Sequence, residues 1–136
     1  MKKAVFFIFC FAVLLAFTAQ LSSCTKRDIS NPPGVYFYNI TGYVSADTIL
    51  PAGSIAYIYV HANKIGVNDY LASATIARSI NGSPDSIISS MKFVERQFNE
   101  IYSYQLGAAG NKYKYVFSFS NQNGVSASDS VTITTN

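Results

Sequence analysis

Chemistry in this chain of 136 residues would have to start from very few groups. There is one histidine, His61, set in the alternating run "SIAYIYVHA" (54–62). A catalytic imidazole needs a nucleophile within hydrogen-bond reach and a carboxylate to orient it. Nothing in the sequence flags a nucleophile, so His61 reads as a strand histidine on an outer face. Glu95 and Glu100 are a candidate carboxylate pair for glycoside cleavage, which flanks the scissile bond with two carboxyls. They fall in a segment where charge is expected on the solvent side. Asp69 and Asp85 sit in loops without the spaced acidic partners of a calcium loop, and no His, Asp and Glu cluster suggests a metal. "GAAGN" (107–111) lies between strands, not before a helix, so it is no phosphate cradle. The expectation is a chain that is not an enzyme and takes no cofactor and no metal.

The two cysteines, Cys10 and Cys24, carry an address instead. Met1-Lys2-Lys3 precedes "AVFFIFCFAVLLAFTA", an uncharged apolar run. This is the positive n-region and h-region of a secretory signal. A spanning helix needs about 20 apolar residues, and this run breaks up at Gln20, Ser22 and Ser23. The following Leu21-Ser22-Ser23-Cys24 resembles the lipobox of bacterial lipoproteins. That resemblance implies cleavage before Cys24, a diacylglycerol on its thiol and an acylated amino terminus. Each buried acyl methylene contributes about 0.8 kcal/mol, so several chains anchor almost permanently. Cys10 would leave with the signal, and a lone lipidated Cys24 excludes a disulfide or a cysteine-based site.

Processing also changes the charge. Removing residues 1–23 leaves 113 residues with eight basic and seven acidic side chains. Without a polybasic run, nucleic-acid binding has no electrostatic support.

The elements that would position any site read as strands. "TKRDISNPPG" (25–34) is a polar tether with a stiff Pro-Pro-Gly, so residues 24–34 are assigned to the lipidated cysteine and tether. One domain, 35–136, remains. "VYFYNITGYV" (35–44) is β-branched and aromatic. In 54–62, Ala56, Ile58, Val60 and Ala62 share one face, with Ile55, Tyr57, Tyr59 and His61 on the other. "YLASATIARSI" (70–80) leads to a turn, "NGSPD". "KYKYVFSFS" (112–120) aligns Tyr113, Tyr115, Phe117 and Phe119, and "NQNG" joins it to "VSASDSVTITT" (125–135) in a hairpin. Residues 83–107 admit a helix, with Ile87, Met91, Val94, Phe98 and Ile101 at helical spacing, or two strands near 86–93 and 98–106; the β context favours strands. The whole reads as an all-β, antiparallel Ig-like sandwich of about seven strands.

The strings "PAGSIAYIYVHAN", "DYLASATIARSING", "YSYQLG" and "YKYVFSFSNQNGVSASDSVTIT" resemble the single Ig-like domain of small Bacteroidetes envelope lipoproteins. The resemblance implies an outer-membrane lipoprotein without a defined activity. Surface-exported members often carry an acidic cluster after the cysteine. Thr25-Lys26-Arg27-Asp28 departs from that, which leaves both faces of the outer membrane open. Extracytoplasmic proteins of those bacteria are O-glycosylated at Asp-Ser/Thr before an aliphatic residue, which implies Thr48, Ser86 and Ser130 as acceptors here. An aspartate before Ser or Thr is also an ordinary turn cap.

Tyrosine is the one unusual feature: ten of them, with no tryptophan. Tyr combines a large flat face with a polar tip at low entropy cost. Tyr57 and Tyr59, with Tyr102 and Tyr104 on a neighbouring strand, form the candidate interaction surface for an envelope protein or a glycan. Cross-strand packing explains the same residues without a ligand. The functional expectation is a lipid-anchored binding module. The alternative is an accessory subunit of a nutrient-uptake or adhesion complex with no ligand of its own.

Overall fold

The computed structural model describes residues 30–136; the expected signal peptide, 1–23, and the expected lipidation site, Cys24, lie outside the described residues. Eight strands follow in order: β1 (Gly34–Phe37), β2 (Thr48–Leu50), β3 (Ile55–Asn63), β4 (Leu71–Ile80), β5 (Ser86–Glu95), β6 (Gln97–Gln105), β7 (Lys112–Asn121) and β8 (Ser126–Thr135). They form a three-stranded sheet, β1-β3-β6, packed on a five-stranded sheet, β2-β8-β7-β4-β5. Strands crossing between sheets in this way give the immunoglobulin-like arrangement. One edge departs from the antiparallel expectation: the three-residue β2 pairs parallel to β8. The bonding runs on past Pro51, with the Asn136 N–H donating to the Leu50 carbonyl at 3.1 Å and the Ala52 N–H to the Asn136 carbonyl at 3.0 Å; an edge strand tolerates a proline whose missing N–H faces away from its partner.

The ambiguous segment resolves into β5 and β6, so the helical spacing across 83–107 was coincidental. Its β-branched and aromatic residues suit a pleated surface, and both strands find partners, β5 on β4 and β6 on β3. The first expected strand is shorter than 35–44. It ends at Phe37, and the chain then loops through Gly42, whose φ of 92° only glycine adopts easily.

The core is an aromatic spine. Tyr113, Tyr115, Phe117 and Phe119 of β7 are all buried, as their alternation indicates. They meet Ala56, Ile58, Val60 and Ala62 of β3, all essentially inaccessible, across the sandwich. Burying a Phe or Ile fully is worth about 1.5–3 kcal/mol each. An antibody domain would bridge its sheets here with a disulfide; rings do the work instead. Tyr115 stacks on Tyr104 at 4.3 Å, Phe117 meets Tyr102 and Phe37 at 5.5 Å, and Phe119 meets Phe98 at 5.1 Å.

Tyr113 makes a tyrosine corner. Its hydroxyl accepts the Gly107 N–H at 2.9 Å, tying the β6–β7 connection to the start of β7. A Cβ on residue 107 would stand 2.6 Å from that hydroxyl, which is why glycine occupies it. The β4–β5 connection, residues 81–85, opens with Asn81-Gly82, both at positive φ, 55° and 77°, in a turn closed by the Ser83 N–H donating to the Ile80 carbonyl at 3.0 Å.

The last residues of the expected tether are fastened to the domain. Asn121, 3% exposed, donates from Nδ2 to Ser30 Oγ and to the Asn31 carbonyl, while its Oδ1 accepts the Asn123 and Val125 N–H groups. Ser30 also donates to Asp69 at 3.3 Å, and Asp69 accepts from Asn123 Nδ2 at 3.1 Å. Pro33 is buried.

Candidate binding surface

The two sheets present different outer faces. Register places Ser126, Ser128, Ser130, Thr132 and Thr134 of β8 beside Lys112, Lys114, Val116, Ser118 and Ser120 of β7. This is an ordinary solvated face of small hydroxyls with two lysines. The three-stranded sheet differs. Its outward positions are Tyr36 on β1, then Ile55, Tyr57, Tyr59, His61 and Asn63 on β3, then Gln97, Asn99, Ile101, Ser103 and Gln105 on β6. None of these residues is Lys, Arg, Asp or Glu.

A row of rings runs across this face. Tyr36 meets Tyr38 edge-on at 6.1 Å, and Tyr38 meets Tyr59 at 4.6 Å. Tyr59 meets Tyr43 at 5.9 Å, and Tyr43 meets Tyr57 at 6.5 Å. Tyr36 and Tyr57 remain 42% and 44% exposed, with Ile55 and Ile101 about half exposed beside them. Tyr38 and Tyr43 come from the irregular stretch after β1, which backbone bonds hold against β3: Tyr38 N–H to Tyr59 C=O at 3.0 Å, Val44 N–H to Tyr57 C=O at 2.7 Å.

The sheet register separates the expected tyrosine surface. Tyr57 and Tyr59 face outward, but Tyr102 and Tyr104 lie opposite Ile58 and Ala56 and therefore point into the sandwich. A shift of one residue in pairing exchanges the two faces of a strand, and the sequence does not state which parity β6 takes. Burial raises the Tyr102 phenol to about 12, with the Glu100 charge adding to it, and raises Tyr104 as well. Both rings are half-buried and pack against the core. Tyr36, Tyr38 and Tyr43 take their place on the outer face. Sequence reasoning missed them, although Tyr36 and Tyr38 alternate visibly.

His61 does lie on the outer face, yet it is only 6% exposed because Tyr36 and Tyr38 cover it. Its Nδ1 is within hydrogen-bonding reach of the Asn99 amide oxygen and of Tyr38 Oη at 3.2 Å. It is a buttress for the tyrosine row. Glu95 and Glu100 fall on different sheets, opposite Leu71 and Val60. Asp85 is exposed in a turn. Among the described residues no three His, Cys, Asp or Glu side chains converge as a metal site.

Beyond Tyr43 and Tyr57 the row opens into a recess of about 380 Å³. Its wall includes Ser45, Asp47, Thr48 and Ile55. Asp47 is the one charged residue in that wall, and its Oδ1 accepts the Thr132 N–H at 2.7 Å. Thr48 is half-buried in β2. Of the other two expected acceptors, Ser86 is exposed at the start of β5 and its hydroxyl donates to the Arg78 carbonyl. Ser130 is exposed on β8, and its N–H is capped by Asp129 at 2.8 Å.

No protein-family model matches this chain, and no curated protein matches it. Three solved structures are similar to it. The CARDB domain of the PF1109 protein from Pyrococcus furiosus, solved with di-metal ions, is 13% identical at a TM-score of 0.45, covering 76% of this chain and 90% of that one. The fibronectin(III)-like modules of Clostridium thermocellum CbhA are 12% identical at 0.41, covering 76% and 97%. Spo0M, a sporulation control protein from Bacillus subtilis, is 11% identical at 0.41, covering 79% of this chain, which spans half of that protein's length.

Proposed function

We propose that this chain is an outer-membrane lipoprotein, anchored through Cys24, whose Ig-like domain is a non-enzymatic binding module of the cell envelope. One observation carries the binding reading: the uncharged, half-exposed tyrosine row on the outer face of the three-stranded sheet. The outer face of the other sheet carries no such row of rings: its β7–β8 pair presents serine, threonine and lysine around Val116, with Ile87 exposed further along. The lipobox resemblance supports the anchor, and the Asp-Ser/Thr patterns support O-glycans on Thr48, Ser86 and Ser130. The test has two parts. Cys24→Ala moves the protein from the membrane fraction to the soluble one; retention in the membrane contradicts the anchor. Immobilised envelope preparations retain the lipid-free Cys24→Ser chain and retain its Tyr36→Ser/Tyr57→Ser derivative much less. Equal retention contradicts the binding reading.

A further inference from the structure

The geometry points to a neutral glycan as the ligand of the tyrosine row, lying along β3 and β6 with one end in the recess beside Tyr43 and Tyr57. This rests on the binding reading above and names its chemistry.

Three observations converge. The first is charge. The register leaves no Lys, Arg, Asp or Glu among the outward positions of β1, β3 and β6. An anionic polysaccharide, a nucleic acid or a phospholipid surface finds no cation there. An average protein carries about a quarter of its residues charged. A protein partner would have to present an equally uncharged patch, because any charge it buried here would find no counter-charge. A neutral glycan brings no charge to desolvate.

The second is the row beside the rings. Gln97, Asn99, Ser103 and Gln105 of β6 are exposed and stand directly across from Asn63, His61, Tyr57 and Ile55. Primary amides and hydroxyls both donate and accept, as do sugar hydroxyls. The tyrosine faces supply flat apolar area for the C–H faces of a sugar, and their hydroxyls supply polar tips. Stacking area and amides thus run side by side along the same two strands.

The third is the recess. At about 380 Å³ it falls within the size range of small-molecule sites. It continues the row at Tyr43 and Tyr57, and it holds a single carboxylate, Asp47, with Ser45 beside it and Thr48 in its wall, so an O-glycan on Thr48 and a ligand in the recess exclude each other. A carboxylate oxygen accepts two sugar hydroxyls well, so the recess suits one residue of the glycan and the open row suits its neighbours.

The test is affinity electrophoresis of the lipid-free Cys24→Ser chain in native gels. The gels hold neutral polysaccharides (dextran, laminarin, glucomannan, hydroxyethylcellulose) or acidic ones (polygalacturonate, hyaluronan). Retardation is expected in at least one neutral gel, unchanged by added salt. Tyr57→Ser should weaken it on the order of tenfold, the loss of one well-placed aromatic contact. Asp47→Asn serves as a second variant, since its amide oxygen can still accept the Thr132 N–H; it should weaken binding several-fold while circular dichroism stays unchanged. Retardation only in acidic gels, or retardation indifferent to both variants, overturns the inference. If no gel retards the chain while a photo-crosslinker at position 57 captures a protein, the glycan inference fails and the binding reading stands. With no retardation and no adduct, both fail.

Discussion

Two tyrosines on β7, two residues apart, should respond oppositely to loss of the same hydroxyl. Tyr113 Oη accepts the Gly107 N–H at 2.9 Å and Asn111 Nδ2 at 3.2 Å, and the residue is 5% exposed. Tyr113→Phe removes the acceptor and leaves a backbone donor against a ring edge. A net hydrogen bond is worth about 0.5–1.5 kcal/mol, and an orphaned buried donor costs about 1–3 kcal/mol. Asn111 can turn to water, so the Gly107 bond dominates and the loss should be about 2 kcal/mol. For a domain near 100 residues that corresponds to a Tm lower by roughly 10 °C. Tyr115 Oη, by contrast, makes no hydrogen bond of good geometry; the Arg78 guanidinium, whose Nε is likewise buried and unpartnered, stands close enough to act on it but is poorly aligned. Burial raises this phenol against the opposing charge of Arg78. Tyr115→Phe removes an unsatisfied polar atom and keeps the ring stacked on Tyr104, so it should be neutral or stabilising by up to about 1 kcal/mol. Thermal unfolding of the lipid-free Cys24→Ser chain, followed by far-ultraviolet circular dichroism with urea titration beside it, measures both. Equal losses at the two positions, or a Tyr113→Phe shift below about 2 °C, would refute the assignment of the corner to Tyr113.

Alkaline pH gives a second outcome. Tyr102 is raised to about 12 by burial and then by Glu100, and Tyr104 and Tyr115 are raised by burial. The folded chain keeps protons there that the unfolded chain releases near pH 10, so stability is full below pH 10 and falls as pH rises through 12. Absorbance at 295 nm should show a set of phenols that ionise only as the circular dichroism signal collapses; Tyr102→Phe and Tyr104→Phe should shrink that set. Their ionisation before unfolding would mean that the inner face is solvated. A third outcome concerns Asn121, which joins the β7–β8 hairpin to the segment at Ser30. Asn121→Ala removes four hydrogen bonds at a buried site and should cost about 2–4 kcal/mol. Amide exchange at residues 123 and 125 should accelerate with it; unchanged exchange contradicts the role given to this side chain.

The fold was legible wherever alternation met a turn residue. The β7–β8 hairpin, the β4–β5 turn at Asn81-Gly82 and the facing of β3 all follow from period-two patterns closed by Gly or Asn. Residues 83–107 were harder, because Ile87, Met91, Val94, Phe98 and Ile101 satisfy a helical spacing while sitting on two strands. There the tertiary demand for sheet partners decided. The parallel contact of β2 with β8 was not legible, since three residues carry no periodic signal. Half of the tyrosine face was visible in Tyr57 and Tyr59. The other half required the β3–β6 register, which turns Tyr102 and Tyr104 inward, and the β1 register, which brings Tyr36 alongside His61. Pairing between distant strands is a relation that one strand's pattern cannot encode.

The most direct test of the central claim is site-specific photo-crosslinking in the cell that makes this protein. A benzophenone side chain placed at position 57 lies on the tyrosine row, and one at position 128 lies on the serine–threonine face of the opposite sheet. The account predicts a discrete adduct on irradiation from position 57 and none from position 128. Equal labelling from both positions, or an adduct from position 128 alone, would contradict the claim that the tyrosine face is the binding surface.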